Sequence, residues 1–213
     1  MELIIATHNK NKVLEFKKKL STNFSIKSLH DLDFKEEIPE NENSIKKNAI
    51  YKSKFIHKIY KSNVFSDDTG LEIEALNNEP GVRSARYSGE EKDPLKNIEL
   101  VLKKMEGISN RKARFRTVIS LIYNDKSYCF EGIVNGTIID KPKGNMGFGY
   151  DPIFVANNMN ETFAEISLEE KNKISHRAIA TNKLIDFLYK KSTGLNMAPN
   201  TLLIAPGLRE PAS

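Results

Sequence analysis

The sequence predicts a mixed α/β fold on three observations: an apolar strand that opens into an amphipathic helix, two long alternating stretches mid-chain, and a capped helix at the end. Because those long stretches are consecutive, the sheet should be mixed rather than purely wound.

Leu3-Ile4-Ile5-Ala6 suits a buried strand, and after Thr7-His8-Asn9 the residues Val13, Phe16 and Leu20 recur at helical spacing. A second helix is expected from about Ser44, with Ile45, Ala49, Ile56 and Ile59 inward and lysines outward. Val64-Phe65-Ser66 and Leu71 to Ala75 read as two strands flanking Asp67-Asp68-Thr69-Gly70. Asp93 caps a helix whose first turn holds Pro94; Leu95, Ile98, Leu102 and Met105 mark its inner face. Ala113 to Tyr123 alternates with period two, and Ser127 to Asp140 is a second extended stretch containing Gly132 and Gly136. Ser167-Leu168-Glu169-Glu170 is a capping box, and Ala178, Thr181, Ile185 and Leu188 should face inward from the last helix.

A chain of 213 residues has room for one large domain or two packed lobes. No repeat or linker divides residues 1–191, so they are expected to form one unit. Residues 192–213 contain no lysine and are broken by Pro199, Pro206 and Pro211; they read as a poorly ordered tail and a candidate cloning remnant. Cys129 is the one cysteine, which excludes an internal disulfide scaffold or a cysteine zinc cluster. No apolar run reaches membrane-spanning length and Met1-Glu2 starts no basic leader, so a cytoplasmic protein without a membrane partner is expected. The net charge of +5 favours anionic partners without naming them, although a lysine-coated surface accounts for it as well.

Four polar clusters lie at the ends of expected elements. Thr7, His8, Asn9, Lys10, Asn11 and Lys12 place hydroxyl, amide and ammonium donors beside a helix start, an arrangement suited to phosphates; Asn9 as a helix cap is the plainer reading. In Asp67-Asp68 the side chains alternate in direction, so one carboxylate can face a pocket. With a second carboxylate from Glu36, Glu37, Glu40 or Glu42 it could hold Mg²⁺; the alternative is a turn at Asp-Thr-Gly with Gly70 left-handed. Gly147 to Pro152 interleaves glycines with Phe148 and Tyr150, either a base-stacking wall or a tight turn with core aromatics. Glu170-Lys171 and Ser175-His176-Arg177 form the fourth cluster, where Ser175 can cap the last helix and Arg177 offers a fork of donors.

Five ordered motifs carry a resemblance. Thr7, Asn9, Lys12 and Glu15, then Ser66 to Leu71, Pro80 to Gly89, Gly147 to Phe154 and Glu170 to Arg177, together resemble the inosine triphosphate pyrophosphatases, house-cleaning enzymes for deaminated purine nucleotides. The resemblance covers Leu3 to Leu188. It departs at Lys47, where the family often has glutamate, so that position cannot be a metal ligand here.

The resemblance implies a homodimeric, Mg²⁺-dependent enzyme with an elongated mixed sheet, helices on its faces, and two lobes around a central nucleotide cleft. It would split ITP, dITP or XTP into monophosphate and pyrophosphate. Thr7, Asn9 and Lys12, with the rest of the Thr7–Lys12 run, would hold phosphates. Asp68 would be base and metal ligand, with Glu40 as the second carboxylate, and Thr69 would touch substrate. Phe148, Gly149, Tyr150 and Asp151 would wall the nucleoside, while Lys171, His176 and Arg177 complete the base pocket. The rival readings are a pyrophosphatase for other modified nucleotides and, from a different class, a non-catalytic nucleic-acid-binding protein; no known nucleic-acid motif is present.

Overall fold

The computed structural model describes residues 1–20 and 24–193. Its centre is a seven-stranded mixed sheet, in which β1 (Glu2–Ile5) lies between β2 (Ser25–Ser28) and β3 (Val64–Ile73), parallel to both. From β3 the order continues antiparallel through β5 (Lys112–Tyr123) and β6 (Lys126–Ile138) to β7 (Phe154–Ala156), while β4 (Glu79–Pro80) pairs with the far end of β3. The α-helices among the described residues are α1 (Lys10–Leu20), α2 (Ile45–Tyr60), α3 (Pro94–Lys104), α4 (Leu168–Ile174) and α5 (His176–Thr193). No described helix is long and apolar enough to cross a membrane. Of the expected tail, Ser192 and Thr193 close α5; the remainder lies outside the described residues.

Local chemistry sets the helix starts. Ser44 accepts from the Lys47 amide, Asp93 from those of Leu95 and Lys96, and Ser167 and Glu170 form the reciprocal capping box. Two inner-face assignments change. Ile59 and Leu95 are exposed, and the buried stripe of α2 runs through Ile45, Asn48, Ala49, Lys52, Ser53 and Ile56, so three polar side chains share the face expected to be apolar.

The larger correction concerns Asp67 to Gly70. They form no turn between two strands: β3 runs unbroken through them, paired residue for residue with β5 from Val64–Ile122 to Ile73–Ala113. Ladder pairing across ten residues outweighs the turn preference of Asp-Thr-Gly. Gly70 is needed for close approach, since a Cβ there would sit 2.4 Å from the Gly81 carbonyl oxygen. That contact presses the 3-10 turn Gly81–Arg86 onto β3, where Ser84 Oγ accepts from the Leu71 amide and donates to Gly81 O. Gly132 serves the other sheet face, because a Cβ would meet His176 O at 2.0 Å and hold α5 away from β6.

One core cluster joins β1, α1 and α5 through Leu3, Phe16, Phe65, Leu121, Leu184 and Phe187. A second, around Leu71, Val101, Phe115, Phe154 and Phe163, packs the other end of the sheet with α3. Polar side chains gather between them.

Candidate active site

Side chains alternate along β3, so Asp67 and Asp68 leave the sheet on opposite faces. Asp67 is fully buried; Lys12 Nζ lies 3.0 Å and Arg177 Nε 3.3 Å from its Oδ2. Burial alone would raise its pKa, but the charges of Lys12, Arg177 and Lys52 prevail and hold the carboxyl well below the usual range. Asp67 therefore anchors the cations around it.

Asp68 faces the α2 side. Lys52 Nζ sits 3.2 Å from Asp68 Oδ1 and also donates to Glu40 Oε1, while Arg86 donates to the Glu40 carbonyl at 2.6 Å. Asp68 Oδ2 is buried and has no hydrogen-bond partner among the described residues. Desolvation raises the Asp68 pKa against the opposing pull of Lys52 and Lys12. For Glu40 burial is again the largest influence, but Lys52, Lys12 and Arg86 reverse it and the pKa falls. Burial and the neighbouring cations thus act with opposite net effect on the two carboxyls that share Lys52.

Asn9 caps α1, its Oδ1 accepting from the Asn11 and Lys12 amides, so the plainer reading of that residue holds while its neighbours still face the cavity. His8 bonds to Glu36 O and stacks on Phe34.

On the opposite wall, Lys171 donates to Asp151 Oδ2 and lies over the Phe148 ring, 4.6 Å from its centroid; the Arg177 guanidinium is 5.4 Å from the same centroid. Arg177 also donates to Glu15 and Thr69. The Tyr150 hydroxyl donates to Ser84 O and fastens this wall to the Gly81–Arg86 turn.

Between these walls lies one cavity of about 530 Å³, with Asp67 and Glu15 buried behind its lining. Its lining includes Thr7, His8, Asn9, Asn11, Lys12, Glu40, Asp68, Thr69, Phe148, Gly149, Tyr150, Asp151, Lys171, His176 and Arg177. Lys10 stands outside the lining, exposed on the first residue of α1 and turned away from Asn9 and Lys12 by the helical advance. Lys47 is likewise exposed. Sequence reasoning missed Lys52, Arg86, Ser84 and Phe115 as lining residues. For Lys52 a signal existed: it lies three after Ala49 and four before Ile56, on the apolar stripe.

His176 is buried beside the cavity wall. Its ring stacks on Phe115 with centroids 4.6 Å apart, and its Nδ1 is buried without a partner among the described residues. Burial pushes the imidazole well below its usual range, with Arg177 and Lys171 acting the same way and Asp67 opposing. The unfolded chain would protonate this group near pH 6.5, whereas the folded chain does so only at lower pH. The unfolded state then binds more protons below that value, so stability falls as pH drops through about 6.5. Urea midpoints should decline between about pH 7 and pH 5, and His176→Asn should flatten that decline; an unchanged slope would remove His176 as its source.

A cavity of this size, with a cationic end at Lys12 and an aromatic end at Phe148 and Tyr150, suits a ligand with an anionic tail and a planar ring, the chemistry of α/β enzymes that act on nucleotides. The chain belongs to the Ham1 family, whose model matches residues 3–187. It is 48% identical over 187 residues to a protein of Flavobacterium psychrophilum named dITP/XTP pyrophosphatase, covering 88% of this chain and 98% of that one. A Bacillus subtilis protein of the same name is 46% identical over 191 residues, covering 88% and 96%. Among solved structures, the Staphylococcus aureus Ham1 protein superposes with a TM-score of 0.83 at 39% identity, covering 90% of this chain and 100% of that one.

Proposed function

We infer that this chain is a dITP/XTP pyrophosphatase, which hydrolyses deaminated purine nucleoside triphosphates to the monophosphate and pyrophosphate and so keeps them out of DNA and RNA. The observation that carries the mechanism is Asp68 Oδ2: a buried, unpartnered carboxylate oxygen on a residue that shares a cavity with Lys12 and the α1 N-terminus.

Thr7, Asn9, Asn11 and Lys12 bind and orient the phosphates, while Asn9 Oδ1 also caps the helix that meets them. Each charge-assisted contact contributes about 1.5–3 kcal/mol. The Asp68 carboxylate accepts the proton of the water that attacks the α-phosphorus.

Asp68 and Glu40 would hold the divalent ion. The donors fit a hard cation such as Mg²⁺: an unpartnered carboxylate oxygen on Asp68 and a second carboxylate joined to it through Lys52. When bound, the ion offsets charge on the phosphates and the leaving pyrophosphate.

Phe148, Gly149, Tyr150 and Asp151 bound the nucleoside, and Thr69 meets the substrate beside Asp68. Lys171 is fixed by Asp151, and neutral His176 can donate one ring N–H. Donors from His176, Arg177 or the main chain would pair with the 6-carbonyl of hypoxanthine or xanthine, and would face the amino group of adenine. A buried donor without an acceptor costs about 1–3 kcal/mol, and two such groups give selectivity of order a hundredfold. The protein is proposed to act as a cytoplasmic homodimer, with neither membrane nor stable nucleic-acid partners.

Pyrophosphate release from a panel of nucleoside triphosphates, with and without Mg²⁺, tests this reading. Rapid release from ITP, dITP and XTP, dependent on Mg²⁺, is expected. Equal turnover of ATP, a preference for modified pyrimidines, or oligonucleotide binding without turnover would each overturn it.

A further inference from the structure

Lys52 is an unusual occupant for a helix stripe packed on a sheet: 4% exposed, it places its ammonium between the two carboxylates assigned to the metal. Its contact distances are those of full ion pairs, 3.2 Å to Asp68 Oδ1 and shorter still to Glu40 Oε1. The surrounding charge is already balanced. Asp67 is paired with Lys12, Asp68 with Lys52, and Glu40 with Lys52 and, more distantly, Arg86 at 3.9 Å.

We propose that Lys52 is an internal counter-cation that competes with the divalent ion for Asp68 and Glu40, so that the ion binds only together with the phosphate chain. This rests on the assignment of those two carboxylates as the metal pair. A divalent ion entering alone would add two positive charges to a neutral, poorly solvated cluster beside a fixed ammonium, and that repulsion is weakly screened at buried sites. A triphosphate supplies the missing negative charge. The flexible four-carbon stem of lysine then lets the ammonium leave the carboxylates without moving α2. With nucleotide absent, the same ammonium keeps two neighbouring acids from repelling each other, so the empty site stays assembled.

Binding of Mn²⁺ alone, followed by electron paramagnetic resonance of the free ion, tests this on the full chain. The wild type should bind Mn²⁺ about tenfold or more weakly than Lys52→Met does, since the variant removes a unit charge at contact distance. Mn²⁺ should also raise the melting temperature of Lys52→Met far more than that of the wild type, and Asp68→Asn in the Lys52→Met background should abolish that response. A second arm needs no variant: an ITP analogue with a methylene bridge between its α- and β-phosphorus should bind the wild type about tenfold tighter in Mg²⁺ than in chelator, with the reciprocal gain for the ion. Wild-type protein that binds Mn²⁺ alone as tightly as with the analogue would overturn the proposal, as would a Lys52→Met protein whose melting ignores Mn²⁺. Neither arm involves turnover, so their failure beside a normal substrate panel would sink the counter-cation role and leave the proposed activity standing.

Discussion

Replacing Asp68 by asparagine is expected to lower pyrophosphate release from dITP by about a thousandfold, within the range that a positioned general base contributes. The amide keeps the size of the side chain but cannot accept the water proton at neutral pH. The fold should survive. Lys52 loses one of its two carboxylates yet keeps Glu40, and Asp67, which anchors Lys12 and Arg177, is untouched on the other face of β3. Steady-state rates on the purified variant, beside a urea denaturation curve, separate the two expectations. Near-wild-type turnover by a folded Asp68→Asn protein would remove Asp68 from the chemistry. A collapse of stability would instead mean that the carboxylate serves chiefly as the partner of a buried lysine, and the rate loss would then say little about mechanism.

Much of the frame was legible because it is encoded locally. The strand and helix at the N-terminus, the caps at Ser44, Asp93 and Ser167, and the long paired strands follow from side-chain hydrogen bonding and periodicity within short windows. The polar clusters were legible as clusters for the same reason, and the cavity joins all four. What escaped depends on partners distant in sequence. Asp67 to Gly70 has the composition of a turn, and only the ladder to Arg116 to Ile119 on β5 keeps it extended. Lys52 shares the spacing of the apolar stripe, but its charge argues against burial, which depends on acids twelve and sixteen residues away. Ile59 and Leu95 failed in the opposite sense: each has helical spacing to the core face, but near a helix end, where the neighbouring layer no longer covers it. The division of labour between Asp67 and Asp68 was foreseeable as alternation, but which of them anchors and which faces the cavity is decided by where α1 and α5 deliver Lys12 and Arg177.

Arg177 is where stability and specificity are hardest to separate, and Arg177→Ala should show stability first. The guanidinium is 3% exposed and bonds to Glu15, Asp67 and Thr69, tying α1, β3 and α5 together beneath the cavity. Removing it leaves Glu15 buried without its cation and Asp67 with Lys12 alone, a loss of about 3–5 kcal/mol by comparison with other broken buried pairs. A urea midpoint within error of wild type would refute this. Arg177→Lys should recover part of the loss, since it restores the charge but cannot span three acceptors. Glu15→Gln should cost clearly less in the Arg177→Ala background than in the wild type, because the stranded carboxylate is then the thing removed. Only with those stabilities known can selectivity be read. At a temperature where Arg177→Lys stays folded, a reduced ratio of ITP to ATP turnover would place the guanidinium at the base, whereas a ratio unchanged from wild type would confine Arg177 to holding Asp67 and Glu15 and leave base reading to His176 and the main chain.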